Sequence, residues 1–370
     1  MKISGIQMLW LMFSMLVGMT LLRLTQTISE AKQDSWLAML IAGGTGVGVT
    51  WLTAKVSLLY PGQTFIQYTK TILGKWLGTA VILTYIFQWI TVTGVIFRRS
   101  LDFIHLALFH NTPLFVLVCT MLLVVAYATY EGGIEGIARC SEVIGPVICI
   151  MLLLIFALSI NNLDWRQLLP IYVDTGLKEI WKGSLSPGSL LGESAVVVVM
   201  LISFMTVPEK GPSRAMWGVG LAFVSVFVAT LFVIMTFGPN LSARMVYPFY
   251  EVVRFIFMME FIQNVDVVVI VIWMTSFFIK LCLYLFVTSY GTAQLLHVKN
   301  WRKMIWIISF VVLILALVPR NELFSIQYNQ KYIIPIVVPF NYIFVPLLLW
   351  VVGVIRKKAA TEGTKNEANG

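Results

Sequence analysis

Charge is what this chain has least of. Asp, Glu, Lys and Arg make up 12% of its 370 residues, against roughly 25% in soluble domains, and 59% of the residues are hydrophobic. A soluble fold is excluded, and a polytopic membrane protein is left. Histidine is almost as scarce: His105, His110 and His297 are the whole supply, which gives a histidine-based catalytic site little to work with. The four cysteines (Cys119, Cys140, Cys149 and Cys282) lie in or beside apolar runs without metal-ligand spacing, so they read as small core residues, and neither a disulfide framework nor a metal site is expected. The chain also lacks the phosphate-binding GxxxxGK[ST], HExxH and GxSxG patterns. No enzyme activity and no cofactor are expected. The net charge of +9 does not point to nucleic acid, because the basic residues are scattered over short connections, as positive-inside bias requires.

What the chain has instead is long apolar runs. Requiring roughly 17–25 mostly apolar residues per crossing gives ten segments: Ile6–Ile28, Trp36–Leu59, Thr79–Phe109, Pro113–Thr129, Gly136–Ile160, Pro187–Val207, Met216–Gly238, Val265–Leu296, Trp301–Val318 and Ile334–Ile355. More of the basic residues fall on the connections that share a face with the N-terminus, so both termini are expected in the cytoplasm. Met1-Lys2-Ile3-Ser4-Gly5 leads into the first run without a small-residue cleavage site, and that run is expected to be a retained helix. Two outer connections are too long for turns. One carries Gly176–Trp181, expected as a short interfacial helix; the other carries Tyr247–Ile256, expected as an amphipathic helix over the outer surface. Residues 356–370 read as a polar, disordered cytoplasmic tail.

The chemistry is expected around Ser184–Ser194, where Pro187, Gly188, Gly192 and Glu193 stand at the mouth of the sixth segment. A proline removes a helical hydrogen bond, and a carboxylate in hydrocarbon is penalised; such a fault is tolerable where it lines a protein-enclosed cavity. The first segment carries Gly18-Met19-Thr20 at a comparable depth, with Arg23 beyond. If the two segments head repeats of about 6–160 and 187–355, their paired interruptions mark a ligand site, because free half-helix amides hold an anionic group. Glu193 reads either as an interfacial carboxylate or as a cavity-facing one suited to proton coupling or to an ammonium group. Arg23 is expected to reach it more easily than Lys280 does. Asp266, Trp273, Lys280 and Tyr284 form one stripe of the eighth segment, Lys280 reading either as a cavity cation or as a lysine snorkelling to the inner interface. Gln88, Thr91 and Thr93 are mid-membrane polar groups of the third segment, and Arg98-Arg99 mark its outer part or a subunit contact. Glu193, Lys280 and Arg23 are the charge-coupling candidates.

Taken in order, several short stretches give the chain a resemblance. They are Lys2–Gln7, Tyr60–Tyr68 with Ile72–Gly78, Leu168–Pro170 with Gly176–Lys178 and Lys182–Ser184, Gly192-Glu193, Pro248–Arg254, and Asp266 through Trp273 to Lys280. With them the chain resembles the B subunits of endospore germinant receptors, the spore germination permease family of the amino acid–polyamine–organocation superfamily. The resemblance implies an all-α fold of ten helices in a leucine-transporter-like 5+5 inverted repeat, with a ligand site between segments one, three, six and eight. It also implies a small-molecule nutrient, commonly an amino acid, and partnership with an A-type membrane subunit and a C-type lipoprotein in the lipid of the spore inner membrane. Two departures stand out: Gln263-Asn264-Val265 replaces an expected Glu-Arg pair, and no proline follows Gly18. A proton-coupled amino acid transporter of the same fold, or a structural subunit with a vestigial cavity, are the alternatives.

Overall fold

A computed structural model of the chain describes residues 1–109, 111–172, 175–256, 266–318 and 329–368. Gln263-Asn264-Val265, and with it the expected start of the eighth segment, lies outside them. The described residues are helical, apart from turns and an isolated bridge between Ile3 and Met205. In order come α1 (Gly5–Leu22), α2 (Leu24–Ala31), α3 (Ser35–Ser57), α4 (Phe65–Leu73), α5 (Lys75–Ala107), α6 (Leu114–Ser159), α7 (Leu177–Leu201), α8 (Gly211–Ser242), α9 (Pro248–Arg254), α10 (Asp266–Leu295) and α11 (Arg302–Leu317). The last segment opens as two π-helical stretches, Asn329–Val337 and Phe340–Phe344, and continues as α12 (Val345–Ala368).

Eight helical stretches among the described residues are long and apolar enough to cross a membrane; nine of the ten expected segments map onto them, the fourth and fifth sharing one. The fourth and fifth are the two arms of α6, which meet at a kink within its 46 residues. Gly133, at φ 51° and ψ −156°, breaks α6 there, because only glycine adopts that backbone without strain. The ninth segment is α11, which at 16 residues is shorter than any of those eight. The tail also differs from expectation: α12 carries the helix through Ala368, since Arg356-Lys357-Lys358-Ala359-Ala360 are all good helix formers.

Both stretches that open the resemblance prove to be helix starts. Ser4 and Gln7 form a capping box on α1, and Thr64 and Gln67 form another on α4, each satisfying two backbone donors that the helix leaves open. Thr64 also donates to Gln294 at the end of α10 (2.7 Å). On the opposite side of the bundle, Asp34 accepts from the Tyr172 amide (3.0 Å) and from the Thr175 hydroxyl, while Gln33 donates to the Pro170 carbonyl. The connection into α7 is thereby fixed over the junction of α2 and α3. Gly176–Trp181, expected as a short interfacial helix leading into the sixth segment, is helical from Leu177 and continues without a break as α7. The second outer helix is present as α9, Pro248–Arg254.

The buried helix α1 runs between α8, α6 and α10. Its approach to α8 is set by Gly218, where an added Cβ would stand 2.3 Å from the Leu9 carbonyl oxygen. Backbone cannot yield as a side chain can. Gly218→Ala is therefore expected to cost about 1–3 kcal/mol, read as a lowered unfolding midpoint in detergent. Gly220→Ala on the same helix meets nothing within 4 Å and should be neutral or stabilising by up to about 1 kcal/mol.

Candidate ligand site

In the first segment the chain breaks at Arg23, not at Gly18. Arg23 has φ −110° and ψ 20° and separates α1 from α2, whereas Gly18, Met19 and Thr20 are helical. What marks Gly18 is a visitor from α10: Ser276 Oγ accepts from the Gly18 amide (3.0 Å) and donates to the Ser14 carbonyl (2.5 Å). These are the two groups that an α-helix joins directly, so the hydroxyl sits at the ladder as inserted side chains do. Without a proline after Gly18, nothing forces unwinding there. The glycine serves close approach instead, since a Cβ would fall 2.4 Å from Ser276 Oγ.

The sixth segment is not interrupted at Pro187 or Gly192, because α7 runs unbroken from Leu177 to Leu201. Its glycines are packing positions: a Cβ on Gly183 would meet Ala31 at 2.8 Å, and one on Gly192 would meet the Tyr342 ring at 2.8 Å. With ten residues of helix ahead of Pro187, the single donor it lacks is not enough to end α7. The earlier start also moves Glu193 about 24 Å along the helix, to mid-depth rather than the mouth. Lys280 lies about 21 Å into α10, and the two meet: Lys280 Nζ is 2.5 Å from Glu193 Oε2. Lys280 is 0% exposed and Glu193 7%. Snorkelling is thus ruled out for Lys280, and Lys280 rather than Arg23 is the partner of Glu193. Two buried phenols, Tyr284 one turn further along α10 and Tyr342 from the last segment, lie within electrostatic reach of the same carboxylate.

Glu193 lines a cavity together with Met19, Arg23, Thr91, Ser189 and Tyr342. Its room is about 30 Å³, space for one or two waters. The last segment closes the cavity with a π-helical backbone, a form that recurs at functional sites. Asn341 secures that backbone to α5: its Nδ2 donates to Gln88 Oε1 (2.6 Å), its Oδ1 accepts from Thr84 (3.0 Å), and its carbonyl accepts from Tyr85 (2.6 Å). Trp89, one turn on, donates to the Val196 carbonyl of α7 (2.9 Å).

Of the expected site residues, Met19, Arg23, Thr91 and Glu193 share this cavity, while Lys280 and Tyr284 reach it through Glu193. Gln88 stands one hydrogen bond behind it, and Gly192 backs Tyr342. Three others serve helix packing: Gly18 holds Ser276, Thr20 donates to the Leu16 carbonyl, and Ser194 pairs with Thr50 of α3 (2.5 Å). Arg98 and Arg99 are buried, Arg98 pairing with Asp102 (2.9 Å). Ser276, Asn341 and Tyr342 were not anticipated. Their signal was a polar side chain inside an apolar run, which hydrocarbon forces to find a partner.

The family model for spore germination proteins matches residues 2–325. Spore germination protein YndE of Bacillus subtilis (strain 168) is 25% identical over 364 residues, 96% of this chain and 98% of its own. Spore germination protein KB of the same strain is 24% identical over 347 residues, 92% of each chain. Among solved structures, MhsT in complex with L-phenylalanine superposes with a TM-score of 0.70 at 11% identity, over 93% of this chain and 87% of that one. A Na+-coupled sialic acid symporter gives 0.63 at 13%, over 92% and 79%. These likenesses establish the leucine-transporter-like inverted-repeat fold that the resemblance implied, in a multi-pass membrane protein. With the family model matched over nearly its whole length, the chain belongs to the spore germination permease family.

Proposed function

We propose that this chain is the nutrient-recognising subunit of a spore germination receptor. It works in the spore inner membrane with both termini cytoplasmic, beside an A-type membrane subunit and a C-type lipoprotein, and binds an amino acid in the cavity between α1, α5, α7 and the last segment. The observation that carries this reading is the buried Glu193–Lys280 pair at the edge of that cavity. A zwitterion offers its ammonium to Glu193 and its carboxylate to Lys280 and Arg23, exchanging one internal ion pair for pairs with the ligand. Room of about 30 Å³ does not admit an amino acid, so binding requires Glu193 and Lys280 to separate and Tyr342 to move. A ligand shifts an equilibrium only by its differential affinity for two states, and here the states differ in which cation Glu193 holds. That difference is the signal passed to the partner subunits.

The purified chain, screened against the twenty common amino acids by thermal shift, should be stabilised by at least one. In Glu193→Gln that ligand should bind about 10- to 100-fold more weakly, the loss of a charge-assisted contact of about 1.5–3 kcal/mol. Unchanged affinity would sink the assignment of Glu193. A proton-coupled amino acid transporter is the second reading, favoured by an ionisable pair buried at mid-membrane depth. Counterflow of the labelled ligand in proteoliposomes separates the two.

A further inference from the structure

A second and larger cavity opens on the face opposite the chain termini, between the end of α5, helix α9 and the first residue of α10. It holds about 540 Å³, inside the roughly 300–1,000 Å³ of small-molecule sites. Phe103, Tyr247, Tyr250, Glu251, Arg254 and Asp266 line it. Two carboxylates against one guanidinium leave the lining net negative. The Arg254–Glu251 pair is loose (3.4 Å) and exposed, a kind of contact worth little to stability, so both groups remain available to a ligand. The Arg254 guanidinium lies 5.7 Å from the centre of the Tyr250 ring, which demonstrates that this face accepts a cation. Tyr250 donates to Asp266 Oδ2 (3.0 Å); burial first, and then that carboxylate, push its phenol upward, so it stays a donor.

Beneath the lining lies Trp273. Its ring is 4.5 Å from Phe103 and 6.1 Å from both Tyr247 and Tyr250, centre to centre. The indole is fully buried, and among the described residues its N–H has no hydrogen-bond partner. A Cβ on Gly18 would stand 3.6 Å from it, so Trp273 rests on α1 beside the Ser276 bridge. Two turns further down α10, about 10 Å along its axis, is Lys280. One stripe of α10 thus joins the outer cavity to the central pair.

We propose that the outer cavity is a first-contact site for an α-amino acid, holding its ammonium group between Asp266 and the rings of Tyr247 and Tyr250 and its carboxylate on Arg254, with Trp273 as the plug above the central cavity. The ligand class rests on the function proposed above; the site itself rests on its own lining. Isothermal titration of the full chain in lipid nanodiscs with each of the twenty common amino acids tests both. The amino acid that binds should fill two sites, of which Asp266→Asn and the exposed Arg254→Ala weaken one by about tenfold or more, and Glu193→Gln weakens the other. Asp266→Glu, which keeps the charge, should retain both. Should Asp266→Asn and Arg254→Ala titrate like the parent while Glu193→Gln loses binding, the outer site is overturned and the central one stands. The reverse pattern upholds the outer site and overturns the central one. If none of the twenty binds the parent chain, both are overturned.

Discussion

Replacing Lys280 by methionine should lower the unfolding free energy of the purified chain by about 3–5 kcal/mol, the usual consequence of leaving one member of a buried ion pair alone. Lys280 is fully buried and Glu193 nearly so, so either charge left alone stands in a largely apolar interior. Glu193→Gln should cost a similar amount, because it strands the ammonium. The double variant Glu193→Gln/Lys280→Met should recover most of the loss, since it removes both charges together. Tryptophan-fluorescence melts in one detergent would read all four proteins. The double variant also serves the binding experiments, as a stable chain with no charge pair to exchange. Single variants that melt with the parent would mean that the two side chains do not meet.

The second large effect is expected at Gly18. A methyl group there would fall 2.4 Å from Ser276 Oγ and 2.6 Å from its Cβ, so Gly18→Ala must either drive α1 from α10 or eject the serine. The expected cost is about 1–3 kcal/mol, together with a weakened nutrient response, because the displaced helix carries Met19 and Arg23 into the cavity wall. Adding Ser276→Gly should restore most of the stability, since it clears the space that the new methyl group needs. Failure of that second change to rescue would place the constraint elsewhere in α1.

Apolar run length located the crossings well, because hydrocarbon requires an internally bonded helix wherever the chain spans it. It also separates the fourth segment, ending at Thr129, from the fifth, beginning at Gly136, on either side of the kink that Gly133 makes. Composition also found the charged pair but matched it wrongly. Pro187 and Gly188 look like a helix start and put Glu193 at its mouth; Gly176–Trp181 reads as a short interfacial helix, but nothing in its polar residues shows that it runs on without a break into the sixth segment. Gly18 and Gly192 carried a true signal with another meaning, close approach rather than unwinding. Asn341 and Tyr342 were the least legible, because their value depends on a π-helical register that brings one to Gln88 and the other against Gly192. No local pattern fixes that register.

The central claim, that this chain rather than a partner recognises the nutrient, is tested most directly by exchanging it for the corresponding subunit of a receptor that answers a different nutrient and scoring germination of the resulting spores. The spores should now respond to the nutrient of the receptor this chain came from, and introducing Glu193→Gln/Lys280→Met in the exchanged chain should abolish that response. Spores that keep the host receptor's nutrient preference would contradict the claim and leave this chain a structural subunit.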